Sequence, residues 1–85
     1  NLFARTKQNM FRLYQDQKYS ATCKLGFNHL YANKKDEEFI SMYAFACLYS
    51  DYIDRLTLPI TVLKSSKDAR ANAAYFATIL MQKKL

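Results

Sequence analysis

The chain has 85 residues, of which 51% are apolar, and its net charge at pH 7 is +6. This length fits one domain, and an apolar share that includes seven Tyr and six Phe supplies a core and argues against disorder. The single Gly and the single Pro argue against the many turns of a β-sandwich or a barrel. The composition therefore predicts one all-α domain over residues 1–85.

Both ends of the sequence have the pattern of a helix, and the first residue is Asn1 rather than Met. We therefore expect the chain to be a fragment of a longer protein. Residues 39–49 form the longest nearly apolar run, with 11 residues, whereas a membrane span needs about 20. The sequence thus predicts no membrane span, and no segment resembles a signal peptide.

The first two predicted helices cover residues 2–16 and 19–33, with a polar break between them. In the first helix, Thr6, Met10 and Tyr14 recur at a spacing of four, and polar residues fill the other side. The predicted apolar stripe of the second helix consists of Tyr19, Cys23, Phe27, Leu30 and Tyr31. Phe11 is also assigned to a buried stripe.

The third predicted helix covers residues 37–50 and is apolar on all sides, since only Ser41 is polar between residues 39 and 49. A helix of this kind belongs between other helices, so we place it at the centre of the domain. Asp36 is its predicted N-cap, and the helix dipole favours Glu37 and Glu38 in its first turn.

The last two predicted helices cover residues 58–64 and 67–84, and residues 51–55 are either a turn or a helix start. Thr57 is the predicted N-cap of the short fourth helix, whose apolar residues, including Leu58, should be largely buried. Pro59 suits its first turn. Ser65 and Asp68 stand at capping-box spacing before the fifth helix.

Cys23 and Cys47 each lie within an apolar helical pattern, and we interpret them as small buried hydrophobic residues. A disulfide between them is the alternative, and it needs an oxidising compartment. The compartment stays unknown, although unpaired cysteines and the lack of a targeting segment slightly favour the cytoplasm. Gly26, in the middle of a helix, is expected to permit close contact with a neighbouring helix.

Weak internal repeats join the two halves of the chain. Leu13-Tyr14 recurs as Leu48-Tyr49, and Phe11 has a counterpart in Phe45. Both spacings are close to the period of roughly 34 residues that is typical of helix-pair repeats.

Residues 13–19, with an aromatic residue before a short polar turn and Tyr19 after it, resemble the turn inside a tetratricopeptide or Sel1-like repeat. The resemblance covers roughly residues 3–63. It implies five helices stacked as antiparallel hairpins, as in a fragment of a tetratricopeptide-like solenoid. Gln17, in place of the usual turn Gly, and Pro59 depart from the family's pattern.

Residues suited to catalysis are sparse. No Gly-rich loop exists to hold a phosphate, and His29 is the only histidine, with no C-x-x-C pair. Cys23 and His29 are six residues apart on one helix, so their side chains point in different directions. We therefore predict no enzyme, no cofactor, and no catalytic or metal-binding residue.

The predicted function is a protein–protein interaction or scaffolding module that binds a protein or peptide. In a stack of helical hairpins, the first helix of each pair lines the concave face. The predicted contacts on the first, third and fifth helices are Arg5, Gln8, Arg12, Ser41 and Asn72. The predicted exposed contact tyrosines are Tyr49, Tyr52 and Tyr75. Uncovered end helices leave homodimerisation open.

A small, basic, helical nucleic-acid-binding domain is the alternative, because the net charge is +6. The basic residues are dispersed along the chain rather than gathered on one helix face, which favours the protein partner. Binding that falls steeply with added salt would identify the nucleic-acid alternative.

Overall fold

The computed structural model describes residues 2–84 of the chain and the side chains of residues 5–83. The α-helices run over Leu2–Gln15 (α1), Tyr19–Asn28 (α2), Glu37–Tyr49 (α3), Thr57–Val62 (α4) and Lys67–Lys84 (α5). Two short 3₁₀ helices cover Tyr31–Asn33 and Ile53–Leu56, and residues 2–84 contain no strand. The predicted all-α class is confirmed. None of the described helices combines the length and hydropathy that crossing a membrane requires.

Helix α3 lies at the centre of the domain, as its all-round apolar sequence predicts. It packs against all four other α-helices. Its buried side chains are Phe39, Ile40, Met42, Tyr43, Ala44, Ala46 and Cys47. They meet Met10 from α1 and Phe76 from α5, both fully buried. Burial of a large apolar side chain contributes about 1.5–3 kcal/mol to folding, so this layer contributes strongly to the stability of the domain.

Helix α2 is shorter than predicted, and its predicted apolar stripe is buried only in part. It ends at Asn28, where the N–H groups of His29 and Leu30 bond to carbonyls three residues back. Such tight bonds satisfy the last carbonyls and stop the helix before the 3₁₀ turn. The predicted stripe is wrong at two positions, since Phe27 is 52% exposed and Tyr31 is 85% exposed.

The buried face of α2 contains Thr22, Cys23 and Gly26. The Thr22 hydroxyl donates to the Lys18 carbonyl at 2.8 Å, so this polar side chain enters the core with its hydrogen bond made. Gly26 lies directly against α3, because a Cβ at this position would be 2.6 Å from Cδ1 of Tyr43. The predicted close contact at Gly26 is therefore confirmed.

Cys23 and Cys47 form a disulfide that joins α2 to α3, and both residues are fully buried. The prediction that they are buried is confirmed, but the prediction that they are unpaired is wrong. Their positions on two facing helices bring the Cα atoms to 4.8 Å, within the range that a disulfide spans. The cysteines therefore no longer favour the cytoplasm.

Helix starts follow the predicted chemistry in one case and differ in two. Asp36 caps α3, since its Oδ1 accepts a hydrogen bond from the Phe39 N–H at 3.1 Å. At α5 the capping side chain is Ser66, whose hydroxyl accepts from the Ala69 N–H, and not Ser65. Thr57 is the first residue of α4 rather than its cap, because its hydroxyl donates to the Asp54 carbonyl of the preceding 3₁₀ turn.

Helices α1 and α3 end in the same backbone motif. Gln17 and Asp51, both with positive φ, each stand two positions after the last residue of their helix. The following N–H groups, of Lys18 and Tyr52, bond back to carbonyls five residues earlier at 2.9 and 2.8 Å. This pattern is a Schellman motif, in which a left-handed residue closes the helix. The ends of α1 and α3 are therefore closed by the same backbone geometry.

The segments after these two turns differ in form. The second 3₁₀ helix and α4 together cover residues 53–62. This segment lies as many positions after α2 in the sequence as Asp51 lies after Gln17. Pro59 lies in the first turn of α4, as predicted, and it is buried there. Leu58 is 36% exposed, so its predicted burial is wrong.

Candidate functional site

A groove of about 710 Å³ lies between α1 and α3. Its lining residues are Lys7, Gln8, Phe11, Arg12, Gln15, Glu38 and Met42. The five α1 residues share one side of the helix because they recur at spacings of three and four. The predicted contact residues Gln8 and Arg12 thus lie together on one wall. We call this surface the α1/α3 groove.

Apolar side chains lie between the polar ones in the α1/α3 groove. Phe11 is 53% exposed, and its predicted burial is therefore wrong. Met42 reaches the groove from α3 while remaining mostly buried. An exposed ring beside a buried thioether forms an apolar surface for a partner side chain, and sulfur adapts well to different shapes.

Salt bridges at one end of the groove fix a lysine between α1 and α3. The Lys7 ammonium lies 3.0 Å from Asp36 Oδ2 and 3.4 Å from Glu38 Oε1. The hydrogen bond to Asp36 raises the pKa of Lys7 despite partial burial. The Lys7 charge is thus balanced within the chain.

The carboxylate of Asp36 is held ionised. Burial tends to raise its pKa, but hydrogen bonds from the Phe39 N–H and from Lys7 outweigh that effect, so its pKa is lowered. The same two groups make Asp36 both the cap of α3 and the anchor of Lys7.

Arg12 forms no ion pair with any other residue that the structure describes, and neither does Arg5. Both are exposed. Arg5 does not line the groove, but it precedes Gln8 and Arg12 at spacings of three and seven and so extends the same exposed stripe of α1. Two arginine charges on this stripe are therefore available to a partner.

An aromatic row continues the α3 wall of the groove. Phe45 and Tyr49 follow Met42 at spacings of three and seven, so the three share one side of α3. The Phe45 ring centroid lies 6.0 Å from that of Tyr49 and 6.2 Å from that of Tyr75. Tyr49 and Tyr75 are each about half exposed, which supports their predicted availability for contact.

The row reaches α1 and α2 through two further tyrosines. Tyr19 lies 4.9 Å from Tyr49 and 5.4 Å from Tyr14, between ring centroids. Burial raises the pKa of Tyr14. The aromatic row of Tyr14, Tyr19, Tyr49, Phe45 and Tyr75 therefore runs from α1 and α2 to α5.

Ser41 and Asn72 lie together between α3 and α5. The Asn72 amide donates to the Ser41 hydroxyl at 3.2 Å, and both residues are partly buried. These two predicted contact residues therefore hold α5 against α3. Their exposed fraction adjoins the aromatic row, since Tyr75 is three residues after Asn72 on α5.

Tyr52 is separate from the other candidate residues. It packs against Arg55, whose guanidinium carbon lies 4.8 Å from the Tyr52 ring centroid and 4.5 Å from that of Phe27. Arg55 Nη1 also lies 3.5 Å from Cys23 Sγ of the disulfide. A hydrogen bond from Ser20, and then the charge of Lys24, lower the pKa of Tyr52. We call this surface the Arg55 cluster.

A second hollow, of about 470 Å³, is rich in lysine. It is lined by Lys34, Lys35, Glu37, Val62, Lys64 and Ser65. The Ser65 N–H donates to Glu37 Oε2 at 2.9 Å, so Glu37 connects α3 to the start of α5. No group of three or more His, Cys, Asp or Glu side chains among the described residues could hold a metal ion.

The sequence prediction missed five groove residues, which are Lys7, Phe11, Gln15, Glu38 and Met42. Phe11 is three residues from Gln8 and four from Gln15, and this placement on a polar face is the signal that could have identified it. Met42 lies in a helix that is apolar all round, so its side of α3 carries no such signal.

The chain matches no protein-family model, and no curated protein or solved structure is significantly similar to it.

Proposed function

We propose that this chain is a non-enzymatic protein–protein interaction module that binds a segment of a partner protein in the α1/α3 groove. The observation that carries the proposal is the groove itself, where exposed Phe11 lies among polar and basic side chains that can orient a partner. Apolar surface surrounded by polar groups is typical of binding sites. The aromatic row adds Tyr49 and Tyr75, residues of a type enriched at interfaces.

We further propose that the domain consists of helical-hairpin repeats of the tetratricopeptide type. In this interpretation α1 with α2 forms the first unit, α3 with residues 53–62 forms the second, and α5 begins the third. The register between Gln17 and Asp51 supports it, because it matches the tetratricopeptide length of about 34 residues. The first helices of the units would then line the groove and carry the aromatic row.

The disulfide indicates the redox state of the compartment in which this module acts. Disulfides persist in oxidising compartments and are rare where glutathione keeps thiols reduced. Because Cys23 and Cys47 are joined and buried in the core, we propose that the domain works in an oxidising compartment.

Selection of binding peptides tests the function. A library of random peptides displayed on phage would be selected against the oxidised domain, and selected peptides would be measured by fluorescence anisotropy. Phe11→Ser should weaken them at least tenfold, because it removes the exposed ring of the groove. Phe27→Ser is the matched control, since the two rings are 53% and 52% exposed and only Phe11 lines the groove.

Two outcomes would contradict the proposal. One is that no peptide is enriched over the background of the library. The other is that Phe11→Ser leaves the selected peptides unaffected. Circular dichroism of both variants would establish that each retains the helical fold.

A second candidate function is binding of single-stranded nucleic acid at the Arg55 cluster. The observation that favours it is the placement of Arg55 between the Phe27 and Tyr52 rings, with Lys24 nearby. Proteins that bind single strands combine cationic and aromatic side chains in this way. Anisotropy with a fluorescent oligothymidine at about 50 mM salt tests it. No binding, or binding unchanged in Phe27→Ser, would exclude this candidate.

A further inference from the structure

The charges around the α1/α3 groove indicate the chemistry of its occupant. Lys7 forms ion pairs with Asp36 and Glu38, so its charge is already balanced within the chain. Arg5 and Arg12 form no ion pair with other described residues. Arginine binds carboxylates through two parallel hydrogen bonds, and such pairs are the strong ones. An occupant with carboxylates would therefore pair with the two arginines of α1.

The spacing of the two arginines selects the conformation of the occupant. They are seven residues apart on α1, which corresponds to about 10.5 Å along the axis. In a partner helix, residues i and i+7 lie on one face at the same distance. In an extended strand, side chains on one face repeat at about 6.8 Å. Two acidic side chains on one face would therefore lie roughly 6.8 or 13.6 Å apart, and neither distance equals the spacing of the two arginines. A helix fits the register of the arginines better than a strand.

The groove also provides a place for an apolar side chain. Phe11 is half exposed and lies one residue before Arg12, and Met42 faces it from α3. In a helix with carboxylates at i and i+7, residues i+3 and i+4 lie between the acids on the same face. Apolar residues at these positions would cover Phe11 while the acids reach the arginines.

We propose that the occupant of the α1/α3 groove is an amphipathic helix with acidic side chains seven residues apart and apolar side chains between them. This inference rests on the proposed function and specifies the class of partner. Arg5 and Arg12 bind the carboxylates, and Phe11 with Met42 contacts the apolar side chains. Gln8 and Gln15 supply uncharged hydrogen-bonding groups along the same stripe of α1.

Three synthetic peptides, each long enough for about five helical turns, test the proposal by fluorescence anisotropy with the oxidised domain. The first has an alanine-based helical sequence with Glu at i and i+7 and Leu at i+3 and i+4. The second replaces both Glu with Gln, and the third keeps Glu and Leu but has a proline in its centre. The first should bind at least tenfold more tightly than either of the others, and its affinity should fall with added salt.

A pair of charge-reversed variants locates the contact. Arg5→Glu with Arg12→Glu should weaken the first peptide at least tenfold. Lys34→Glu with Lys35→Glu makes the same change in net charge at exposed residues of the other hollow, so this variant should bind the peptide within about twofold of the wild type. Helicity of both double variants would be checked by circular dichroism.

The outcomes separate this inference from the proposed function. Equal affinity for the Glu and Gln peptides would overturn the acidic partner, and equal affinity for the proline peptide would overturn the helical one. In both cases the groove would still bind, as the phage-selected peptides report independently. If no synthetic peptide binds, the proposed occupant is wrong. If sedimentation shows a dimer that Phe11→Ser dissociates, the proposed occupant is also wrong, and the groove binds a second copy of the chain.

Discussion

The Lys7 ammonium lies 3.0 Å from Asp36 Oδ2, so one salt bridge joins α1 to the residue that caps α3. The other oxygen of Asp36 accepts the Phe39 N–H at 3.1 Å. One carboxylate thus holds Lys7, a residue of the groove, and caps the central helix. Its two roles can be separated, because Asn can cap a helix but cannot form the salt bridge.

We predict that Asp36→Asn lowers the free energy of unfolding by about 0.5 kcal/mol, the usual range for a partly exposed ion pair. Asp36→Ala should lower it by about 1–2 kcal/mol, because the N-cap is lost as well. Urea denaturation monitored by circular dichroism measures both values. Equal losses for the two variants would show that the cap contributes nothing.

The same pair predicts a dependence of stability on pH. The folded-state pKa of Asp36 is below 3.8, so its contribution is present above that pH and is lost as the pH falls through the folded pKa. The folded-state pKa of Lys7 is above 10.5, so its contribution is present below that pH and is lost as the pH rises through the folded value.

The difference in unfolding free energy between wild type and Asp36→Asn should therefore be constant between about pH 5 and 9 and shrink on both sides. Each side chain is 34% exposed, so the whole effect should stay below about 1 kcal/mol. Urea titrations at a series of pH values measure it. A difference that grows in acid would have the wrong sign for this pair.

Gly26→Ala should destabilise the domain, although Ala is the better helix former by about 1 kcal/mol. The new Cβ would lie 2.6 Å from Tyr43 Cδ1 and 2.9 Å from Met10 Cε. The methionine end can move, but the buried Tyr43 ring cannot do so without disturbing α3. We expect a net loss of up to about 2 kcal/mol, since overpacking costs about 1–3 kcal/mol and the better helix propensity offsets about 1 kcal/mol of that cost.

Ala21→Gly is the control for Gly26→Ala, because Ala21 is exposed on the same helix and reports helix propensity alone. Both variants would be measured by thermal unfolding. A gain in stability for Gly26→Ala would mean that α2 and α3 can separate at no cost.

The contrast within α2 illustrates what could be predicted from the sequence. The central position of α3 follows from its composition, and the cap at Asp36 follows from local chemistry. The buried face of α2 does not, because Thr22 and Gly26 are less apolar than Phe27 and Tyr31. Their burial depends on a back-bonded hydroxyl and on a ring from α3, and neither contact is visible in a single stretch of sequence.

The groove was also predictable from the sequence only in part. Gln8 and Arg12 stand out because they are polar on a first helix, whereas Phe11 looks like core. The disulfide depends on the distance between two cysteines on different helices, which periodicity does not give. The two left-handed turn residues, Gln17 and Asp51, are one position closer together than the two Leu-Tyr pairs, so the echo in the sequence does not coincide with the spacing of the backbone turns.

Removal of the disulfide should lower the free energy of unfolding by about 3 kcal/mol, since it closes a loop with a sequence separation of 24 residues. For a domain of this size, that loss lowers the melting temperature by about 12–24 °C. Thermal unfolding of Cys23→Ala with Cys47→Ala measures it. A reductant should lower the melting temperature of the wild type and leave that of the double variant unchanged.

Glycine at the two left-handed turn residues should stabilise the domain. Gln17 has φ of 60° and Asp51 has φ of 68°, a conformation that costs most side chains about 1–2 kcal/mol. Asp tolerates it better than Gln, so Gln17→Gly should gain about 1 kcal/mol and Asp51→Gly less. Urea denaturation measures both gains. A larger gain at Asp51 would contradict this ranking of the two residues.

The aromatic row also gives the molecule an optical signal of its own. The chain has no tryptophan, so its seven tyrosines dominate the near-ultraviolet absorption and emission. Tyr49 and Tyr75 are half exposed beside the groove, and Tyr19 contacts Tyr49 in the interior of the row. An occupant that covers the exposed rings will change their emission and near-ultraviolet circular dichroism, so binding can be followed with neither partner labelled.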